Sequence, residues 1–243
     1  TRCLSDWSSD VCSSDLYKDE SVETKPKEQW KKRWERELPK EGLEFYEKAL
    51  DGDKDAAFKA FEIFSQTNEK NRRNPLVRAY YADCLSLTGK YQAEVPAMIG
   101  TTIKAMKMYD QLVYEYPENV RIRLMRAYHS YRLPETFFHR TATAIDDFNV
   151  LIERYRTDSS IMPEQVYWQI LFDLGSAYFR MGMKEEAQET WEQLTDQCPD
   201  PQYREMVESQ PSEEIPDYSQ LSKEELFEEG KRLHALGVSG NRR

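Results

Sequence analysis

No stretch of this chain approaches the ~18 consecutive apolar residues that a membrane-spanning helix requires, so the sequence offers no transmembrane segment. Histidine is scarce, three in 243 residues, and His129, His139 and His234 fall at no metal-ligand spacing. Four cysteines in so long a chain exclude a disulfide-stapled miniature fold. The nine glycines form no phosphate-cradling loop, and GxGxxG, GxxxxGK(S/T), GxSxG and HExxH are all missing. Basic charge is outnumbered, 34 Lys and Arg against 44 Asp and Glu for a net charge of −10. Without a basic excess there is little counterion release to drive nucleic-acid binding. Adjacent carboxylates such as Asp146–Asp147 and Glu185–Glu186 diverge on a helix and do not form an acid–base couple. The expectation is a protein with no catalytic, metal or cofactor site, no nucleic-acid partner, and an oligomeric state the sequence leaves open.

What is present is helical. From Gly42 the apolar residues recur at a 3.6-residue period with short breaks between segments. Gly42–Leu50 and Ala56–Phe64 flank the turn DGDKD. Asn74-Pro75 supplies a cap and a first-turn proline for Leu76–Leu87. Further helices are predicted over 96–116 and 120–131, and around the stripe Ala144, Phe148, Leu151, Ile152 and Tyr155. The last strong pair is Glu164–Met181 with Lys184–Gln197. No segment alternates as a half-buried strand does, so the fold class is all-α.

The ends differ from this middle. Residues 1–16 (TRCLSDWSSDVCSSDL) have no period, resemble translated sequencing-adapter read-through and are read as a non-native leader; a Cys3–Cys12 loop is the alternative. Without them the net charge is 33 − 41 = −8. Residues 17–40 read as a charged N-terminal helix or tail with Trp30 and Trp34 at i, i+4. Residues 200–221 read as an acidic linker, within which 202–209 could form a short helix. Ser222 and Glu225 make a capping box opening a C-terminal helix in 222–243, ended by Gly237. The expected location is cytoplasmic, unless a signal sequence precedes Tyr17.

The stretch from Trp168 to Pro199 carries a pattern of its own: Leu174, Gly175, Tyr178, Ala187, Trp191 and Pro199. Gly175 and Ala187 are small where two antiparallel helices cross, Tyr178 and Trp191 fill the space beside them, and Pro199 ends the second helix. This pattern resembles the 34-residue tetratricopeptide repeat. The small–aromatic–apolar triplet recurs as Ala57, Phe61, Phe64, as Ala105, Tyr109, Leu112, and as Ala144, Phe148, Leu151. Two insertions interrupt the register, about 92–102 and 134–143, the first running into the helix predicted over 96–116. The resemblance implies a TPR-like stack of antiparallel helix pairs, an α-solenoid, over 41–199, with inserted loops and the C-terminal helix as a cap.

The resemblance also implies a function: a non-catalytic scaffold gripping a protein or peptide partner in the groove lined by the first helix of each pair. The alternative is an extracytoplasmic small-ligand binding component of an uptake system with a TPR-like fold. Groove positions of the family fall on Asp83, Arg123, Tyr131, Phe172, Phe179 and Arg180, with Leu87, Ser130 and Ser176 beside them. The Lys/Asn/Arg clamp of chaperone-binding members is absent, since the corresponding positions read Ala79, Arg123, Phe172 and Asp83, Ala127, Ser176. Two arginines and three aromatics suit a partner with apolar side chains and an occasional carboxylate. Phe137 and Phe138 in the second insertion are expected to plug a gap between pairs, and His139 beside them is read as structural ahead of any acid–base role.

Overall fold

The computed structural model describes residues 35–210. The expected leader, the Trp30/Trp34 segment and the C-terminal capping helix lie outside the described residues. Within them the chain is helical, in the order α1 (Lys40–Leu50), α2 (Lys54–Lys70), α3 (Pro75–Gly89), α4 (Val95–Glu115), α5 (Val120–Arg132), α6 (Glu135–Phe138), α7 (Thr141–Thr157), a 3-10 turn at Ser159–Ile161, α8 (Glu164–Arg180), α9 (Lys184–Gln197) and α10 (Pro201–Glu208). There is no strand among the described residues.

The starts of α2, α3, α5 and α10 follow from short polar side chains placed where backbone N–H groups lack partners. Asn74 Oδ1 accepts from Leu76 and Val77 N–H at 3.0 and 3.3 Å, Asn119 from Ile122 at 3.1 Å, Asp53 from Ala56 at 3.0 Å and Asp200 from Gln202 at 2.9 Å. The turns inside the first and last pairs each need a left-handed residue, and glycine supplies it: Gly52 at φ 98° and Gly182 at φ 77°. In the third pair His139 takes that conformation at φ 51°, although a Cβ makes it unfavourable.

Each helix packs on the next: α1 on α2, α2 on α3, α3 on α4, α4 on α5, α5 on α7, α7 on α8, α8 on α9 and α9 on α10. The first helices of successive pairs also touch, α1 with α3 and α3 with α5, so α1, α3, α5 and α8 form one row and α2, α4, α7 and α9 the other. The repeated triplet holds this stack. Ala57, Ala105, Ala144 and Ala187 are at most 1% exposed, and Phe64, Leu112, Leu151 and Leu194 are fully buried. Small side chains at the crossing let the helices approach; the large ones two turns later fill the space behind.

Two insertions interrupt the regular repeat, and neither is a simple loop. The first is largely helix: α4 begins at Val95, two turns earlier than its pair requires, and its uncharged run from Val95 to Ile103 carries the exposed Val95 and Ile103. Thr101 and Met98 on these turns meet the end of α3 at Gly89. The second folds as α6, and Phe137 on it is 73% exposed rather than plugging a gap; only Phe138 is half-buried. Within the stretch read as a linker, α10 adds Tyr203, Met206 and Val207 to the core of the last pair. No helix of the described residues is long and apolar enough to cross a membrane.

Candidate partner-binding site

The row of first helices is stitched together by polar side chains at every junction. Between α1, α3 and α5, Tyr46 Oη and Arg132 Nη2 both donate to Asp83 Oδ2, the latter at 3.0 Å. Between α5 and α8, Tyr128 Oη donates to Asp173 Oδ2 at 2.9 Å, with Gln169 Nε2 donating to the same oxygen at 3.1 Å. At the far end of that junction, Arg180 Nη1 donates to the Tyr131 carbonyl at 2.6 Å and its guanidinium lies 4.4 Å from the Tyr131 ring centroid.

Burial sets the electrostatics of this row. Asp173 is enclosed, and loss of hydration pushes its carboxyl up to about 7 against the opposing pull of Gln169, Tyr128 and Arg180. Burial likewise raises the Tyr131 phenol to about 12 and lowers His129 to about 4. His129 has no hydrogen-bond partner at either ring nitrogen and its ring lies tilted, 5.0 Å from that of Tyr109, so it sits in the interior as a neutral aromatic.

The expected groove residues therefore divide. Asp83, Tyr131 and Phe172 are buried, which corrects their placement as exposed wall: Asp83 holds two hydroxyl or guanidinium donors, Tyr131 underlies Arg180, and the Phe172 carbonyl accepts from Trp191 Nε1 at 3.1 Å. Arg123 is turned inward as well. It donates to Asp147 Oδ1 at 2.7 Å and to the Pro117 carbonyl at 3.2 Å. The reason is long side chains: tyrosines and arginines from adjacent first helices reach across and close the positions that a regular repeat leaves open. Arg180 remains exposed and Phe179 and Ser176 half-exposed, Phe179 resting 6.0 Å from the Trp191 ring.

A second polar assembly escaped the sequence reading. Asp147, wholly buried on α7, receives Arg123 and both Arg126 Nε and Nη2 at 2.7–2.8 Å. Arg126 and Arg140 then share Asp110, at 3.2 and 2.6 Å. The signal was available: Asp147 follows Ala144 by three and precedes Leu151 by four, so helical period places it on the buried stripe, whereas Asp146 points out to solvent.

These acids and bases are spent on one another. Among the described residues no group of three or more His, Cys, Asp or Glu is placed to hold a metal ion. Cys84 is buried, with its thiol pushed well up by burial, and Cys198 is a free half-buried thiol. The exposed His139 lies 3.5 Å from Glu135.

In the last pair the helices cross where a Cβ at Gly175 would meet Trp191, and residues 169–201 match the family model described as tetratricopeptide repeat. No curated protein and no solved structure matches the chain.

Proposed function

We propose that this tetratricopeptide-repeat protein is a non-catalytic scaffold that binds a protein or peptide partner along its row of first helices. The observation that carries the reading is Arg180. Its guanidinium is fixed by the Tyr131 carbonyl and ring, it is exposed, and it forms no ion pair among the described residues. A cation held in one orientation with free donors is a ready receptor for a carboxylate. Phe179 and Ser176 beside it offer an apolar contact and a small gap for a neighbouring side chain. The remaining expected residues act from beneath: Tyr131 orients Arg180, while Asp83, Arg123 and Phe172 keep adjacent helices in register.

The test is selection from a random peptide library on the immobilised chain. Sequences pairing Asp or Glu with an aromatic or aliphatic neighbour are expected to be enriched, and enrichment is expected to vanish on Arg180→Ala with the fold intact by circular dichroism. Equal enrichment on both proteins would refute the assignment.

A further inference from the structure

The described residues end at Gln210, and the sequence that follows has the composition of a ligand for Arg180. Residues 211–218 read PSEEIPDY. Glu214 stands next to Ile215 and Asp217 next to Tyr218, with Glu213 a third acid, and no Lys or Arg occurs before Lys223. The segment thus pairs a carboxylate once with an aliphatic and once with an aromatic neighbour.

The fold delivers this segment to the right side of the stack. On the first turn of α10, Tyr203 Oη lies 3.4 Å from both the Gln165 carbonyl and Gln169 Oε1, near the start of α8. The short turn Cys198–Asp200 reverses the chain, and α10 packs back on α9, so α10 runs in the direction of α8. From Tyr203 to Gln210 the rise is ~10 Å, which brings Gln210 level with the middle of α8. Arg180 is then about 6–12 Å further along and one helix spacing, ~10 Å, to the side. Four residues of extended chain span ~13 Å and seven span ~23 Å, so Glu214 and Asp217 both come within reach of the guanidinium.

Neither sign of charge dominates around Arg180. Arg132 and Lys184 are exposed on the flanking helix ends, and so are Glu185 and Glu186. Arg132 is committed to Asp83, at 3.0 Å, and Lys184 is a point charge on a flexible stem. Glu135 accepts from Thr141 N–H at 2.8 Å and lies 3.5 Å from His139. Asp173, two turns back on α8, is enclosed with Tyr128 and Gln169. What singles out Arg180 is a guanidinium fixed by the Tyr131 carbonyl and ring, with no acid of the described residues on it.

We propose, resting on Arg180 as a carboxylate receptor, that residues 213–218 dock on Arg180 and Phe179 of their own chain, so that a partner binds only by displacing them. A short tether presents the segment at an effective concentration on the order of 1 mM. With a free-peptide Kd of ~0.1 mM, the segment is docked about nine-tenths of the time and weakens an outside peptide about tenfold.

The probe is a fluorescent synthetic peptide of residues 210–219, QPSEEIPDYS, titrated by anisotropy into the full chain. Glu213→Gln, Glu214→Gln and Asp217→Asn combined remove the charges of the segment and touch no described residue. This amide variant is expected to bind the probe about tenfold more tightly than wild type. Arg180→Ala is expected to bind it weakly, equally so with the acidic and the amide segment. Equal affinities of wild type and amide variant, both lost on Arg180→Ala, overturn the docking of the segment and leave Arg180 as a receptor. Binding to the amide variant that survives Arg180→Ala overturns both. A probe that binds no version of the chain overturns the docking alone, since library-selected peptides still report on Arg180. If wild type dimerises in sedimentation velocity and the amide variant does not, the segment docks on a second copy and the contact within one chain is overturned. The comparison of wild type with the amide variant alters none of the described helices, so it stands whatever Arg180→Ala does to stability.

Discussion

The indole of Trp191 lies against the Cα of Gly175, so closely that a Cβ there would stand 2.3 Å from Nε1 and 2.5 Å from Cδ1. Glycine inside a helix ordinarily loses up to about 1 kcal/mol relative to alanine; here the missing methyl is what admits the indole. Gly175→Ala is therefore expected to destabilise by ~1–3 kcal/mol, as overpacking does, despite the better propensity. Combining it with Trp191→Leu is expected to recover most of the loss, as measured by urea unfolding. A stabilised Gly175→Ala variant would mean that the crossing lies elsewhere.

Removing Asp147 is expected to hurt far more than the exposed ion pairs suggest. Its carboxylate is the shared acceptor of Arg123 and Arg126, and its loss leaves two guanidiniums largely out of water without an anion. Asp147→Ala is expected to lower stability by about 3–5 kcal/mol. Replacing all three by Leu, Met and Met is expected to recover most of it, because well-packed apolar side chains can substitute for a buried ionic group. Guanidinium chloride titration of the three proteins checks both.

Much of this was legible from the chain alone. The helix pairs, their caps at Asn74 and the small–large triplet follow from local chemistry and period. The groove was less legible. Family positions assume an open inner face, but Asp83 and Arg123 belong to contacts across 49 and 24 residues of sequence, with Arg132 and Asp147. Such pairings depend on how neighbouring repeats are rotated, which no local pattern encodes. The insertions differ: the helix expected over 96–116 is present as α4, Val95–Glu115, although its first turns hold Val, Ile, Gly and Thr, which are weak helix formers, whereas the short α6 lies in a stretch read as loop.

Opposed titrations are expected between pH 4 and 7. Asp173 is held up at about 7 against ~3.9 in an unfolded chain. The fold favours its neutral form, so this group stabilises least at high pH: stability falls as pH rises from about 4 to 7 and is level above. His129 is held down at about 4 against ~6.5 unfolded, so its contribution is complete above about 6.5 and is lost as pH falls toward 4. Asp173 is worth up to roughly 4 kcal/mol and His129 up to roughly 3 kcal/mol. Urea unfolding at pH 4.5 and 7.5 is expected to show Asp173→Asn gaining stability toward pH 7.5 relative to wild type. His129→Leu is expected to gain it toward pH 4.5. Parallel profiles for all three proteins would contradict the burial of these groups.

His139 occupies a conformation that glycine occupies in two other pairs. Its ion-pair partner among the described residues is Glu135, at 3.5 Å, on an exposed surface, and such a pair contributes little. His139→Gly is expected to stabilise by about 1 kcal/mol, and His139→Ala not at all. The melting temperatures of the two variants check this.

The central claim is that the Arg180 guanidinium, propped on Tyr131, receives a carboxylate of the partner. A double-mutant cycle tests it most directly, using one library-selected acidic peptide and its amide counterpart, Asp to Asn or Glu to Gln, with wild-type protein and Arg180→Ala. Fluorescence anisotropy at fixed ionic strength reads the four affinities. Each single change is expected to weaken binding about tenfold or more, and the double change little further, because both remove one charge-assisted contact. Strictly multiplicative losses, with the peptide's carboxylate counting equally whether or not Arg180 is present, would contradict it.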